Sequence, residues 1–388
     1  VSVPTTQTNR VRFEYLDGMR ALAAWYVVLH HVWLESYESF PDNVGPWYLG
    51  WLRWGHLAVS VFIVLSGFSL VLAPSRHGDR AVGGNADFIR RRAWRILPPY
   101  WAALLISALA VILYTGEHSG LFITPKTFLV YGLLLQDGIG APTPNGAFWS
   151  IAVEWHIYFL FPLLLWTVRR WSSEAMLVLT TIGVVGVYLL GTNVAVFSKL
   201  LHFTPQFLAL FAMGMFAGRA LNAATPSERH RRVVQVLGVV ALLAAFVLVA
   251  LAPPASLTNQ FFWLDLFVGA VAALWCYALA IGVAPSAARA MGSRPMVLLG
   301  AFSFSVYLIH YPVLSTVKYA IAQPLGESTT GTFVVLMVIG VPLIALASYG
   351  FYRLVERPTV ERRWPRLVPG RAPSTNRTPG AQDPGVSL

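Results

Sequence analysis

Apolar and polar positions along this chain fall in long blocks. Runs of about 20 apolar residues, enough to cross a bilayer core, alternate with short polar stretches. Ten such runs lie near 17–38, 54–74, 94–115, 146–168, 174–192, 202–221, 233–252, 261–284, 296–320 and 331–354. The pattern predicts an all-α, polytopic membrane helix bundle of about ten transmembrane helices. A shorter run, "FITPKTFLVYGLLL" (122–135), carries Pro125 and Lys126 and reads as interfacial or re-entrant.

Composition supports that reading and fixes an orientation. Of the 388 residues, 56% are hydrophobic and 12% charged, with a mean hydropathy of +0.61. A soluble domain of this length needs more polar surface. The formal net charge of +11 is spread between apolar runs, not gathered on a compact basic domain, so it sets nucleic-acid binding aside. With both termini cytoplasmic, 24 of the 28 Lys and Arg residues fall on the inner side, Arg53, Lys126, Lys199 and Lys318 being the exceptions. An eleven-helix count would invert part of this pattern. Residues 1–15 read as a polar cytoplasmic segment with no cleaved leader, 16–355 as the membrane domain, and 356–388 as a disordered basic cytoplasmic tail. The single Cys276 excludes an intramolecular disulfide framework and a cysteine-based metal site. Arginine outnumbers lysine 25 to 3, as in a bacterium with a GC-rich genome, which points to a bacterial plasma membrane.

Ionisable residues interrupt several apolar runs, and their depths can be compared. A helix rises about 1.5 Å per residue, so His31, fourteen residues beyond Asp17, sits roughly 21 Å above the inner boundary. Glu154 enters from the opposite side to roughly 12 Å below the outer surface, and His310 climbs roughly 21 Å from inside. Asp265 lies nearer the outer face. Lipid-facing charges at such depths are costly, so these groups are expected to form one polar layer in the outer half of the bundle. Helix geometry also separates the adjacent histidines. Arg20 and His31 differ by about 20° around the helix, whereas His30 is rotated roughly 80° away. Glu35, one turn beyond His31, either orients that ring or stands at the interface.

The stretch "FIRRRAWRILPPYW" places Arg92 and Arg95 three apart on one helix face. Two readings stay open: positive-inside anchoring with Trp94 and Trp101 in an aromatic belt, or a phosphate clamp. Pro98 and Pro99 are expected to loosen the helix just beyond the cluster.

Together these residues resemble the acyltransferase-3 family of integral-membrane acyltransferases, which modify sugar hydroxyls. The likeness spans roughly residues 12–358. "YLDGMRALAAWYVVLHH" matches the family's Arg-x10-His motif at Arg20 and His31, and "RRRAWRILPPYW" its Arg-x-x-Arg motif at Arg92 and Arg95. "VSVFIVLSGFSLV" resembles its second-helix stretch, and "FWSIAVEWHIYFLFPLLL" its Trp-Ser…Val-Glu segment, giving Trp149, Ser150 and Glu154. "FSFSVYLIHYPVL" and "FYRLVERP" resemble its closing segments, with Ser305, Tyr307, His310 and Glu356. Two positions depart: Ser60 stands where many relatives carry an acidic residue, and Phe304 replaces a common Tyr. No esterase-like domain is recognisable, so a stand-alone member is expected.

The resemblance implies a membrane-embedded O-acyltransferase with acyl-CoA as donor substrate and no metal or permanently bound cofactor. Arg92 and Arg95 would hold the nucleotide phosphates, and the thioester would pass Arg20 to reach His31. His31 would act as general base or carry a transient acyl group. Glu154 would orient the site or stabilise the imidazolium, with Ser150, Tyr307 and His310 as acceptor or oxyanion contacts and Trp149 in support. The expected acceptor is a sugar hydroxyl on a glycosylated natural product such as a macrolide; envelope polysaccharide or a lipid-linked glycan is the alternative. A transporter without chemistry is the reading from another class.

Overall fold

The computed structural model describes residues 13–361 apart from 38–39, 42–44, 117–121, 223–224, 252 and 327. Every regular element among the described residues is helical. The main helices are α1 (Glu14–Ser36), α2 (His56–Val71), α3 (Asn85–Ala110), α4 (Pro125–Gly132), α5 (Trp149–Arg170) and α6 (Ser173–Asn193). They continue with α7 (Gln206–Arg219), α8 (Glu228–Leu251), α9 (Phe261–Ala280), α10 (Arg294–Ala301), α11 (Ser303–Val317) and the C-terminal α12 (Thr329–Glu361).

The chain is an all-α membrane bundle. Among the described residues seven helices are long and apolar enough to cross a membrane, and nine if each of two bent pairs is one span. The remaining expected segment, α1, is helical for 23 residues, but Arg20, His30 and His31 make it too polar to be counted by composition. The outward faces are apolar. On α8 only Val234 and Gly238 are buried, and Val240, Leu243, Phe246 and Leu251 are all exposed, the surface of a helix solvated by lipid.

Lipid tails are as apolar as the side chains they touch, so close packing and hydrogen bonds hold such a bundle together. One such close crossing is α2 against α7. A Cβ added at Gly67 would stand 2.1 Å from the Phe211 carbonyl oxygen, and one at Gly214 would stand 2.1 Å from that of Val64. Only glycine admits this approach of two backbones. Phe68, Phe207 and Phe211 close the core around it, each fully buried.

A second close approach joins α10 to the start of α1, where a Cβ at Gly300 would lie 2.1 Å from the Asp17 carbonyl oxygen. At this contact α10 lies out of line with α11. The chain turns by 63° between them, and the hydroxyl of Ser303 donates to the Gly300 carbonyl at 2.9 Å. The expected straight span over 296–320 is therefore two helices at an angle, which invalidates the depth count for His310 along one axis. The segment over 202–221 likewise belongs to a pair bent by 46°.

Three further expectations change. The helix α3 runs unbroken through Pro98 and Pro99. The turn that follows is tied to α4 by Tyr100, whose hydroxyl donates to the Tyr131 carbonyl at 2.9 Å, and by Trp101 Nε1 on the Gly132 carbonyl at 2.9 Å. At the C-terminus, residues 357–361 are helical, so irregular chain does not begin at 356. At the other end α1 already begins at Glu14, inside the segment expected to precede it. The rest of both terminal segments, 1–12 and 362–388, lies outside the described residues.

Candidate active site

A cavity of about 290 Å³ lies where α1, α2, α3, α5 and α11 converge. Helical periodicity builds its walls, because residues three or four apart share a face. Ser150, Glu154 and Tyr158 form one such stripe on α5, Ser66 and Ser69 another on α2, and Arg92 and Arg95 a third on α3. Arg20 enters from α1, and Ser303, Phe304 and Tyr307 from α11.

The charge in this cavity is unequal. Three guanidinium groups line it with one carboxylate, Glu154. Arg20 is anchored from both sides, donating to Asp17 Oδ1 at 3.0 Å and to Ser69 Oγ at 2.7 Å. Arg92 lies over the rings of Phe88 and Tyr158, at 5.8 and 5.9 Å from their centroids. Glu154 accepts from Ser66 Oγ at 2.8 Å and from the Tyr158 hydroxyl at 2.5 Å, both on Oε1. A surplus of arginine forks on aromatic and hydroxyl supports is suited to holding an anion such as a phosphate.

Ser150 and Tyr307 close the far wall. The Tyr307 hydroxyl donates to the Ala147 carbonyl at 3.0 Å, which leaves its oxygen to accept from Ser150 Oγ at 2.6 Å. Ala147 is held in turn by Asn145, whose Oδ1 accepts the Ala147 N–H at 2.9 Å and whose Nδ2 donates to the Leu308 carbonyl at 3.2 Å.

Behind that wall stand the histidines. The His31 ring lies 4.9 Å from that of His310, centroid to centroid, and meets the edge of Tyr311 at 5.5 Å. His310 is 0% exposed and packs on the Tyr307 ring at 5.8 Å. Its Nδ1 faces the Val306 carbonyl at 3.1 Å, while its Nε2 makes no hydrogen bond among the described residues. An unmet buried polar atom costs about 1–3 kcal/mol.

Geometry thus gathers most of the expected residues, in two compartments instead of one. Arg20, Arg92, Arg95, Ser150, Glu154 and Tyr307 share the cavity, whereas His31 is not part of its lining and meets it through His310 and Tyr307. His30 faces elsewhere, its Nδ1 on the Leu52 carbonyl at 2.9 Å. Glu35 is held by Lys318 Nζ at 3.1 Å. The polar layer does not extend to Asp265. That carboxylate forms a separate knot on α2, α7 and α9, accepting from Ser60 at 2.7 Å and Gln206 at 3.1 Å, with His56 Nε2 at 3.1 Å. Trp149 belongs to this knot. It stacks on His56 at 5.5 Å and does not line the cavity. Ser305 and Glu356 bond to each other at 2.5 Å, joining α11 to α12.

Sequence reading missed Ser66, Ser69 and Tyr158. Tyr158 was accessible, being one helical turn beyond Glu154 on the same face. The serines were not, because a serine in an apolar run more often bonds its own helix backbone than a neighbour's carboxylate.

Comparison with known proteins follows this geometry. The Acyltransferase domain family model (Acyl_transf_3) matches residues 13–352. The chain is similar to the peptidoglycan O-acetyltransferase OatA of Listeria monocytogenes, 23% identical over 351 residues that cover 82% of this chain and 52% of that protein. It is also similar to the O-acetyltransferase OatA of Staphylococcus aureus, 22% identical over 362 residues, 88% of this chain and 56% of that one. The chain spans about half the length of these curated relatives. No solved structure matches it significantly. The match over nearly the whole membrane domain settles the classification: this chain belongs to the acyltransferase-3 family.

Proposed function

We propose that the chain is an O-acyltransferase of the bacterial plasma membrane that moves a short acyl group from acyl-CoA to a hydroxyl of an envelope glycan. One observation carries this reading. Arg20, Arg92 and Arg95 line a cavity with Glu154, and the wall of that cavity is backed by His310 and His31. Phosphates need the first group and proton transfer needs the second.

In this mechanism Arg92 and Arg95 bind the nucleotide phosphates of the donor, and the thioester arm lies past Arg20 toward Ser150 and Tyr307. Rotation of Tyr307 off Ser150 joins the cavity to the histidine compartment. The acceptor oxygen then bonds to the acyl carbon as the C–S bond breaks, and the hydroxyl proton passes to His31 and on to the departing thiolate. Glu154, held by Ser66 and Tyr158, balances the arginines around the donor.

The acceptor preference differs from that drawn from the sequence. Relatives named for peptidoglycan O-acetylation favour an envelope polysaccharide over a glycosylated natural product. The test uses the full chain in lipid nanodiscs with labelled acetyl-CoA and, separately, a muropeptide disaccharide and a macrolide glycoside. Label on the disaccharide supports the proposal. Label on the macrolide alone restores the other acceptor, and no transfer to any hydroxyl from any acyl thioester leaves the transporter reading.

A further inference from the structure

The histidine pair carries more information than its position. His310 has a defined tautomer: its Nδ1 lies 3.1 Å from the Val306 carbonyl, an acceptor only, so Nδ1 bears the proton and Nε2 the lone pair. That lone pair is fully buried and unpartnered among the described residues. The neighbour able to satisfy it is an imidazole whose ring centroid is 4.9 Å away, that of His31, tilted by 48°.

We propose that His310 is a positioning residue for His31. Its backbone-locked imidazole accepts one His31 N–H at Nε2, so the other His31 nitrogen is held as the lone-pair base toward the acceptor hydroxyl. The inference rests on the acyl-transfer reading. When the hydroxyl proton arrives, His31 becomes an imidazolium with two N–H groups, one held by His310. The arriving proton leaves with the thiolate, and His310 keeps its own proton throughout. The arrangement parallels the way a carboxylate fixes a catalytic imidazole, with a neutral acceptor in its place. A neutral partner avoids a further buried charge in the bundle.

The test compares two variants of the full chain in nanodiscs, with acetyl-CoA as donor and a muropeptide disaccharide as acceptor. In His310→Gln the amide oxygen reaches the place of Nε2, and in His310→Asn it falls short. The expected result is a kcat about 100-fold lower for His310→Asn with KM for acetyl-CoA unchanged, and recovery to within about tenfold of wild type in His310→Gln. Equal losses in both variants, or full activity in His310→Asn, overturn the proposal while leaving acyl transfer intact. Solid-state 15N spectra of histidine-labelled wild type provide a second reading that needs neither activity nor a folded variant. Nε2 of His310 should be unprotonated, and a protonated Nε2 refutes the assignment. Absence of transfer in wild type counts against the function itself, and the spectra still decide the tautomer.

Discussion

Ser150 Oγ and the Tyr307 hydroxyl stand 2.6 Å apart on the wall of the arginine-lined cavity, on the side where Tyr307 packs against His310. Tyr307 also donates to Ala147 and packs its ring on His310, so it ties α11 to the start of α5.

Tyr307→Phe removes both hydrogen bonds and leaves a buried carbonyl and a buried hydroxyl unmet. The variant should be about 1–3 kcal/mol less stable and turn over at least about tenfold more slowly, because the hydroxyl that holds Ser150 and the Ala147 carbonyl is gone. Thermal unfolding in detergent and transfer rates in nanodiscs check both effects. An unchanged melting temperature and rate would show that the contact is incidental.

The paired arginines should act on donor binding. Arg92→Gln or Arg95→Gln, each deleting a charge-assisted contact, should raise KM for acetyl-CoA about 10- to 100-fold with kcat nearly preserved. A KM equal to wild type in both variants would return these residues to simple membrane anchoring.

Sequence alone brought the reading far, and its largest failures concern how helices stand relative to one another. Apolar runs marked the helices, and periodicity assigned Arg20 and His31 to a face without His30; in the structure Arg20 lines the cavity, His31 lies outside that lining against His310, and His30 Nδ1 meets the Leu52 carbonyl. Depth along a helix is legible because the rise per residue is fixed. The relation between helices is not. Asp265 matched the others in height yet faces Ser60, His56 and Gln206 in a different part of the bundle. The 63° turn before α11 was hidden because it depends on how α10 sits against other helices, and its close glycine contact is with α1, nearly 300 residues earlier in the chain.

The α2–α7 crossing should be intolerant of any side chain. Gly214→Val places a branched group where a Cβ alone would lie 2.1 Å from the Val64 carbonyl oxygen. A loss of at least about 1–3 kcal/mol is expected from overpacking. Gly186→Ala in α6, where nothing lies within 4 Å, should leave stability intact. Melting curves of the two proteins side by side check the contrast, and equal behaviour would mean the helices do not pack this closely.

The most direct measurement compares His31→Ala with His30→Ala at matched expression, scoring acyl transfer from acetyl-CoA to glycan in membranes. His31 faces His310 and Tyr311, whereas His30 faces the Leu52 carbonyl. The account predicts that His31→Ala lowers transfer at least about 100-fold and that His30→Ala retains substantial activity. Equal losses in the two variants, or an active His31→Ala, would contradict it.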